Sequence, residues 1–327
     1  MAPLVAVTRP LPEPGAAPFV EHGLEVRANP HDRPLTRAEL LELVAGADAL
    51  VCMLSERVDA ELLDAAPSLK VVANYAVGYD NLDVALARGR GVEVTTTPDV
   101  LTEATADMAW ALLLAAARHV VAGDRLVRTG GWQGWAPRQL VGQPVAGRTL
   151  GVVGMGAIGG AVARRARGFA MPVLYHNRRR VPEELERELG ARWVELDELL
   201  GAADLVSLHV PLSEESRHMV DAAALARMKP TAVLVNTGRG PLVDEGALVD
   251  ALRDGGLAAA GLDVYEREPE LAEGLAELDN VVLAPHLGSA TTEARGAMVR
   301  LCAENVAAVL QGGPAVTPAP GPPLTRG

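Results

Sequence analysis

Lysine is almost missing from this chain. Only Lys70 and Lys229 occur, so the 30 basic side chains are nearly all arginine, set against 42 acids and a net charge of −12. That balance argues against a nucleic-acid partner, which wants a broad basic surface. Cysteine is scarce too: Cys52 and Cys302 each sit among apolar residues. Two unpaired, buried thiols exclude a disulfide framework and point to a reducing compartment, the cytoplasm. Long apolar runs are absent. The ten residues MAWALLLAAA at 108–117 fall well short of the ~20 that span a bilayer. The opening MAPLVAVTRP has neither a basic start nor a signal-type apolar core. No membrane partner is therefore expected.

What is present is an ordinary globular balance, 49% apolar and 22% charged, over 327 residues. That length suits about two domains. Short Val/Leu/Ala runs at 4–7, 50–54, 71–74, 92–95, 150–153, 173–175, 205–209, 233–236, 259–263 and 281–284 read as strands. Helical patterns lie between them, at 36–45, 59–66, 102–119, 157–169, 244–253 and 291–310 among others. Strands apolar on consecutive positions fit parallel sheets covered on both faces. The βαβα order predicts an α/β protein, and ten strands predict two doubly wound parallel sheets of about five each. The helix over 102–119 would bridge the lobes, and the helix over 291–310 would return to the first. The expected domains are 1–99 with 287–327, and 100–286. The tail GGPAVTPAPGPPLTRG has no core-forming pattern and is expected to be disordered.

The stretch TLGVVGMGAIGG at 149–160 ends a strand and opens a helix around Gly154, Gly156 and Gly159. The first glycine permits a tight turn, the second lets backbone approach a pyrophosphate, and the third lets helix pack on strand. Free N–H groups there, including those of Ala157 and Ile158, would face the phosphates of a dinucleotide. An acid is expected at the end of the next strand to hold a ribose diol. None follows 173–175; Asn177, Arg178, Arg179 and Arg180 stand there instead. This predicts a 2′-phosphate pocket, with NADP(H) preferred and NAD(H) still possible. Arg180, directly before Val181-Pro182, is expected to face solvent.

Three later strand ends carry Arg239, Glu268 and His286. Ligands gather at the carboxyl ends of parallel strands, so the three can converge. An arginine clamps a carboxylate through two hydrogen bonds. A histidine gives or takes a proton near neutral pH, and a glutamate beside it favours the protonated form. His22, His31, His119, His176 and His218 show no metal-ligand spacing and read as solvated, so no metal is expected.

The segments GMGAIG at 154–159, HVPL at 209–212, NTGRGPLVDE at 236–245, GLDVYEREP at 261–269 and PHLGSAT at 285–291 carry a resemblance. In this order they resemble the D-2-hydroxyacid dehydrogenase family over nearly the whole chain, and most of all its glyoxylate/hydroxypyruvate reductases. The resemblance implies a flavodoxin-like substrate lobe and a Rossmann cofactor lobe. It implies that Arg239 binds the 2-oxo acid carboxylate, that His286 protonates the ketone oxygen, and that Glu268 pairs with His286. VGYDN at 77–81 would place the Val77 and Gly78 N–H groups on the carboxylate. Thr105, His209, Pro211, Thr237, Asp263 and Gly288 would line the cofactor, Asp263 at the nicotinamide carboxamide. GGWQGWAPRQL at 130–140 would be an arm across a homodimer, with Trp135 reaching the partner's site.

The implied reaction is reduction of glyoxylate or hydroxypyruvate to glycolate or D-glycerate. A phosphoglycerate or other D-2-hydroxyacid dehydrogenase is the rival, and a cofactor-gated, corepressor-like binding protein is the alternative of another class. Glutamate rather than glutamine at the histidine's partner position disfavours a formate-oxidising relative.

Overall fold

The structure is a computed structural model that describes residues 2–324. The chain divides into two compact units, Met1–Leu101 with Ser289–Gly327, and Thr102–Gly288.

The first unit holds β1 (Leu4–Val7), β2 (Glu25–Ala28), β3 (Ala49–Cys52), β4 (Val71–Asn74) and β5 (Glu93–Thr95). All pairings are parallel, in the order β2-β1-β3-β4-β5. That is the flavodoxin-like winding. Side chains alternate between two cores, as the period of a strand requires. In β1, Val5 and Val7 enter the core with Phe19, Val299 and Val306, and Ala6 enters the opposite one with Leu40 and Leu62. The helix Thr292–Leu310 covers the first face, and Tyr75 Oη, just beyond β4, donates to Arg295 O at 2.8 Å.

The second unit holds β6 (Leu150–Val153), β7 (Val173–His176), β8 (Ala191–Trp193), β9 (Leu205–Leu208), β10 (Val233–Asn236), β11 (Ala259–Leu262) and β12 (Val281–Leu283). Its order is β12-β11-β10-β9-β6-β7-β8, again all parallel. Counted from β6 this is the dinucleotide-binding order with a seventh strand added, and the winding reverses between β6 and β9. The helix Thr102–Ala117 packs on β10, β11 and the helix Ala157–Ala166. A Cβ on Gly261 would lie 2.9 Å from Leu112 Cβ, so glycine there lets helix and strand approach.

Two strands escaped the sequence reading, and both are sheet edges. Residues of β2 are exposed or half-buried, as are those of β8. An edge strand need not be apolar on both faces, so the consecutive-apolar signal is missing.

The expectation of a disordered tail is overturned for residues 313–324. Ala319 N donates to Val94 O at 2.8 Å, and Thr317 Oγ1 donates to Thr96 O at 2.7 Å. Buried Asn305 accepts the Thr317 N–H at 2.9 Å, and buried Arg88 donates to Ala319 O at 2.7 Å and Pro322 O at 2.8 Å. The tail is held by its backbone along β5, which composition does not register. Residues 325–327 of that expectation lie outside the described residues. Among the described residues no single helix is long and apolar enough to cross a membrane.

Candidate active site

In the second unit β6 runs into a turn where Gly154 has φ +98°. A Cβ there would sit 2.6 Å from the His209 carbonyl carbon, so only glycine fits between the ends of β6 and β9. A Cβ on Gly159 would meet Gly154 O at 2.0 Å, which sets how closely the helix Ala157–Ala166 approaches the turn. A Cβ on Gly156, by contrast, would meet open space, and Gly156 and Ala157 are exposed with Ile158 half-buried. The helix N-terminus therefore faces an open cradle of backbone N–H groups.

At the end of β7, Asn177 Oδ1 accepts the Met155 N–H at 2.6 Å, tying the basic turn to this loop. Arg178 and Arg179 are exposed and form no hydrogen bond or ion pair among the described residues. Arg180 is exposed, 58% of its side chain, and is also paired. Its Nε and Nη2 reach both oxygens of Glu186 at 2.7 Å, and Tyr175 Oη donates to the same carboxylate at 2.5 Å. Arg180, followed by Tyr175, holds the Glu186 carboxyl down at about 2.

The other three loops meet beyond β10, β11 and β12. His286, at φ +54°, places Nδ1 2.9 Å from Glu268 Oε2. Glu268 Oε1 accepts the Tyr265 N–H at 3.1 Å. Burial works to raise the Glu268 carboxyl, but the His286 contact and the charges of His286 and Arg239 bring it below the usual carboxylate range. Arg239 is half-buried on the loop after β10, with Nη1 donating to Gly238 O at 2.9 Å. Asp263, fully buried, accepts the Leu287 and Gly288 N–H groups at 2.6 and 2.7 Å, and its own carbonyl accepts the His286 N–H at 2.9 Å. These bonds hold His286 in its left-handed conformation. Burial pushes the Asp263 carboxyl up.

In the first unit, β4 ends in Asn74, whose Nδ2 donates to Gly78 O at 2.7 Å. The Val77 and Gly78 N–H groups form no hydrogen bond among the described residues, and both residues are half-buried. Paired N–H groups of this kind suit an anion.

The NAD-binding domain model of D-isomer specific 2-hydroxyacid dehydrogenases matches residues 110–288. A glyoxylate reductase of Thermococcus onnurineus is 54% identical over 316 residues, 95% of this chain and 94% of that one. This chain belongs to the D-isomer specific 2-hydroxyacid dehydrogenase family. A crystal structure of a Thermus thermophilus protein superposes with TM-score 0.90 at 47% identity, covering 97% of this chain and all of that one. An NADPH-dependent glyoxylate/hydroxypyruvate reductase of Sinorhizobium meliloti, solved with NADP and malonate, gives TM-score 0.85 at 36% identity over 100% and 99% of the chains.

The family's nicotinamide dinucleotide fits the residues present. The Gly156 cradle is open, and Thr237 Oγ1 is a buried hydroxyl without a partner among the described residues. Thr105 and Asp263 converge on Gly288, where a Cβ would lie 3.3 Å from each side chain. His209 Nε2 lies 2.8 Å from Ser207 Oγ, and burial lowers the ring to about 4, so it is neutral at pH 7. Pro211 follows on an exposed turn.

Trp135 is 85% exposed and Trp132 54%. They border a groove of about 260 Å³ with Leu126, Val127 and Leu140. The neighbouring helix Val120–Arg128 buries no residue. Two of the histidines read as solvated are engaged instead: His176 Nδ1 lies 2.9 Å from Val194 O, and His218 Nε2 meets Glu266. Tyr265 was not singled out by sequence. Its N–H bonds Glu268, and its hydroxyl donates to Ala284 O at 2.9 Å, two residues before His286. A backbone contact of this kind leaves no mark in residue types.

Proposed function

We propose that this dehydrogenase reduces glyoxylate and hydroxypyruvate to glycolate and D-glycerate, using NADPH in preference to NADH. The single observation that carries the reading is the His286–Glu268 contact at 2.9 Å, within reach of the Arg239 charge, in the unit that also holds the open Gly156 turn. Full-length likeness to a glyoxylate reductase supports the substrate class. In this reading the unit Thr102–Gly288 holds the cofactor, and Val77 and Gly78 are substrate-binding residues.

A nicotinamide bound there would supply the hydride. Arg239 pairs with the 2-oxo acid carboxylate through its planar fork and draws charge from the ketone oxygen. The Val77 and Gly78 N–H groups are donors suited to a substrate carboxylate. His286, protonated, gives its proton from Nε2 to the ketone oxygen as that oxygen gains charge. Glu268, ionised, keeps Nδ1 protonated and the ring oriented. Asp263 holds the turn carrying His286 and lies with Thr105 and Gly288 where the carboxamide would sit. Gly154, Gly156, Ala157, Ile158 and Gly159 form the pyrophosphate turn, with His209, Pro211 and Thr237 along the dinucleotide. Asn177, Arg178 and Arg179 receive a 2′-phosphate.

The exposed Trp132, Trp135 and Val127 form the face of a homodimer, with Trp135 projecting toward the partner's site. A panel of 2-oxo acids, each tested with NADPH and NADH by nicotinamide absorbance, tests the reading. Fastest turnover of glyoxylate and hydroxypyruvate with NADPH is expected. No turnover of any 2-oxo acid with either cofactor would sink it.

A further inference from the structure

Glu245 is 3% exposed, carries a carboxylate, and has no part in the chemistry above. It opens the helix Glu245–Arg253, just after the capping Asp244, where the helix dipole favours negative charge. Its Oε1 accepts the Glu266 N–H at 2.8 Å. Glu266 is fixed from the other side as well, because its own carboxylate meets His218 Nε2.

The same loop is pressed against the arginine segment. A Cβ on Gly240 would lie 1.8 Å from the Tyr265 carbonyl carbon and 2.4 Å from Glu266 N. Gly240 directly follows Arg239, and Glu245 lies five residues further on. So one short stretch both carries Arg239 and grips the backbone at 265–266. Two residues beyond that grip stands Glu268, which accepts the Tyr265 N–H and meets His286.

We propose that Glu245 is a positioning residue for catalysis, holding the 265–268 loop so that Glu268 reaches His286 while Arg239 stays in register. It touches neither substrate nor cofactor; it acts through Glu268. A buried carboxylate without its N–H donor would be strongly disfavoured, so the bond is obligatory in the folded loop. The inference rests on the proposed His286–Glu268 acid.

The test is a double-mutant cycle on the whole enzyme, with kcat, KM and thermal midpoint measured for each variant. Glu245→Ala should lower kcat about tenfold or more while the KM values for glyoxylate and cofactor change by less than about threefold. Glu245→Gln keeps an acceptor oxygen and should recover kcat to within about threefold. Glu245→Asp, too short to reach Glu266 N, should lose kcat like alanine while remaining folded. In a Glu268→Gln background, Glu245→Ala should add less than about a twofold loss, because both act on one pair. An impaired Glu268→Gln beside fully active Glu245→Ala and Glu245→Asp variants would overturn the inference alone, as would a full additive loss in the double variant. A Glu268→Gln enzyme with unaltered kcat would remove the acid pair itself, and this inference with it.

Discussion

His286 and Glu268 meet through Nδ1 and Oε2 at 2.9 Å, with side chains 34% and 39% exposed. The carboxylate can only accept, so Nδ1 carries the hydrogen and Nε2 is left to exchange a proton with a ligand. Burial opposes ionisation of Glu268, yet the hydrogen bond and nearby charges hold its carboxyl below the ordinary range. The carboxylate is therefore charged at neutral pH, and protonates only as pH falls through that lowered value.

Replacing that charge tests the pair. Glu268→Gln keeps the shape of the side chain but removes the charge that His286 Nδ1 meets, so kcat for reduction should fall about tenfold or more. His209 cannot stand in as the acid, since burial lowers it to about 4. Steady-state kinetics showing an unchanged kcat would mean that Glu268 does not support the acid.

Arg239→Lys keeps the charge but loses the planar fork. Efficiency with glyoxylate should fall by about 1.5–3 kcal/mol, roughly 10- to 150-fold, mostly through substrate recognition. Steady-state kinetics with the variant would check this. An unchanged kcat/KM would reduce Arg239 to a partner of its own loop.

The arginine, glutamate and histidine were legible because each follows an apolar run, and parallel strands gather their ends on one edge. The strands β1, β4, β6 and β10 were legible to the residue because both faces are buried. What failed depends on contacts that residue types do not announce. The edges β2 and β8 need no apolar run. The tail at 313–324 is held by backbone bonds to β5. The pairing of exposed Arg180 with Glu186, six residues on, and the grip of Glu245 on Glu266 exist only once the turn and the loops have folded.

Assembly is predicted from the apolar face. Val127 is 59% exposed and Trp135 85%, on a surface otherwise rich in charge. Burying such a patch in a second copy is worth about 25 cal/mol per Å² of apolar area. Sedimentation should show a dimer for the native chain and a monomer for Val127→Glu, because a buried unpaired charge is strongly unfavourable. A native chain that sediments as an active monomer would contradict the reading.

The last prediction concerns the turn after β7. Arg178 and Arg179 stand exposed beside Asn177, whose Oδ1 is committed to Met155 N, leaving its amide nitrogen as the donor. The turn at 177–180 itself carries no carboxylate to repel a 2′-phosphate, and the charge of Arg178 also acts on Glu215. Charge-assisted bonds contribute about 1.5–3 kcal/mol each before screening, which at this exposed turn lowers the expected NADPH preference to about tenfold. Changing Arg178 and Arg179 together to alanine should raise the KM for NADPH about tenfold and leave that for NADH nearly unchanged. Arg180 acts differently, because it is bound to Glu186 and Tyr175 and shapes the turn instead. The Glu186 carboxyl is held at about 2 by Arg180 first and Tyr175 second. A depressed carboxylate stabilises the fold above its unfolded value of about 4.3, and the contribution is lost as pH falls toward the folded value. Glu186→Gln should therefore lower the thermal midpoint at pH 7, with the difference from the native chain shrinking as pH drops below about 4.3. The same variant should raise the KM for NADPH more than that for NADH, since the turn that presents Arg178 and Arg179 is loosened. Equal KM and kcat for the two cofactors in the native enzyme would make the paired arginines a solvated turn.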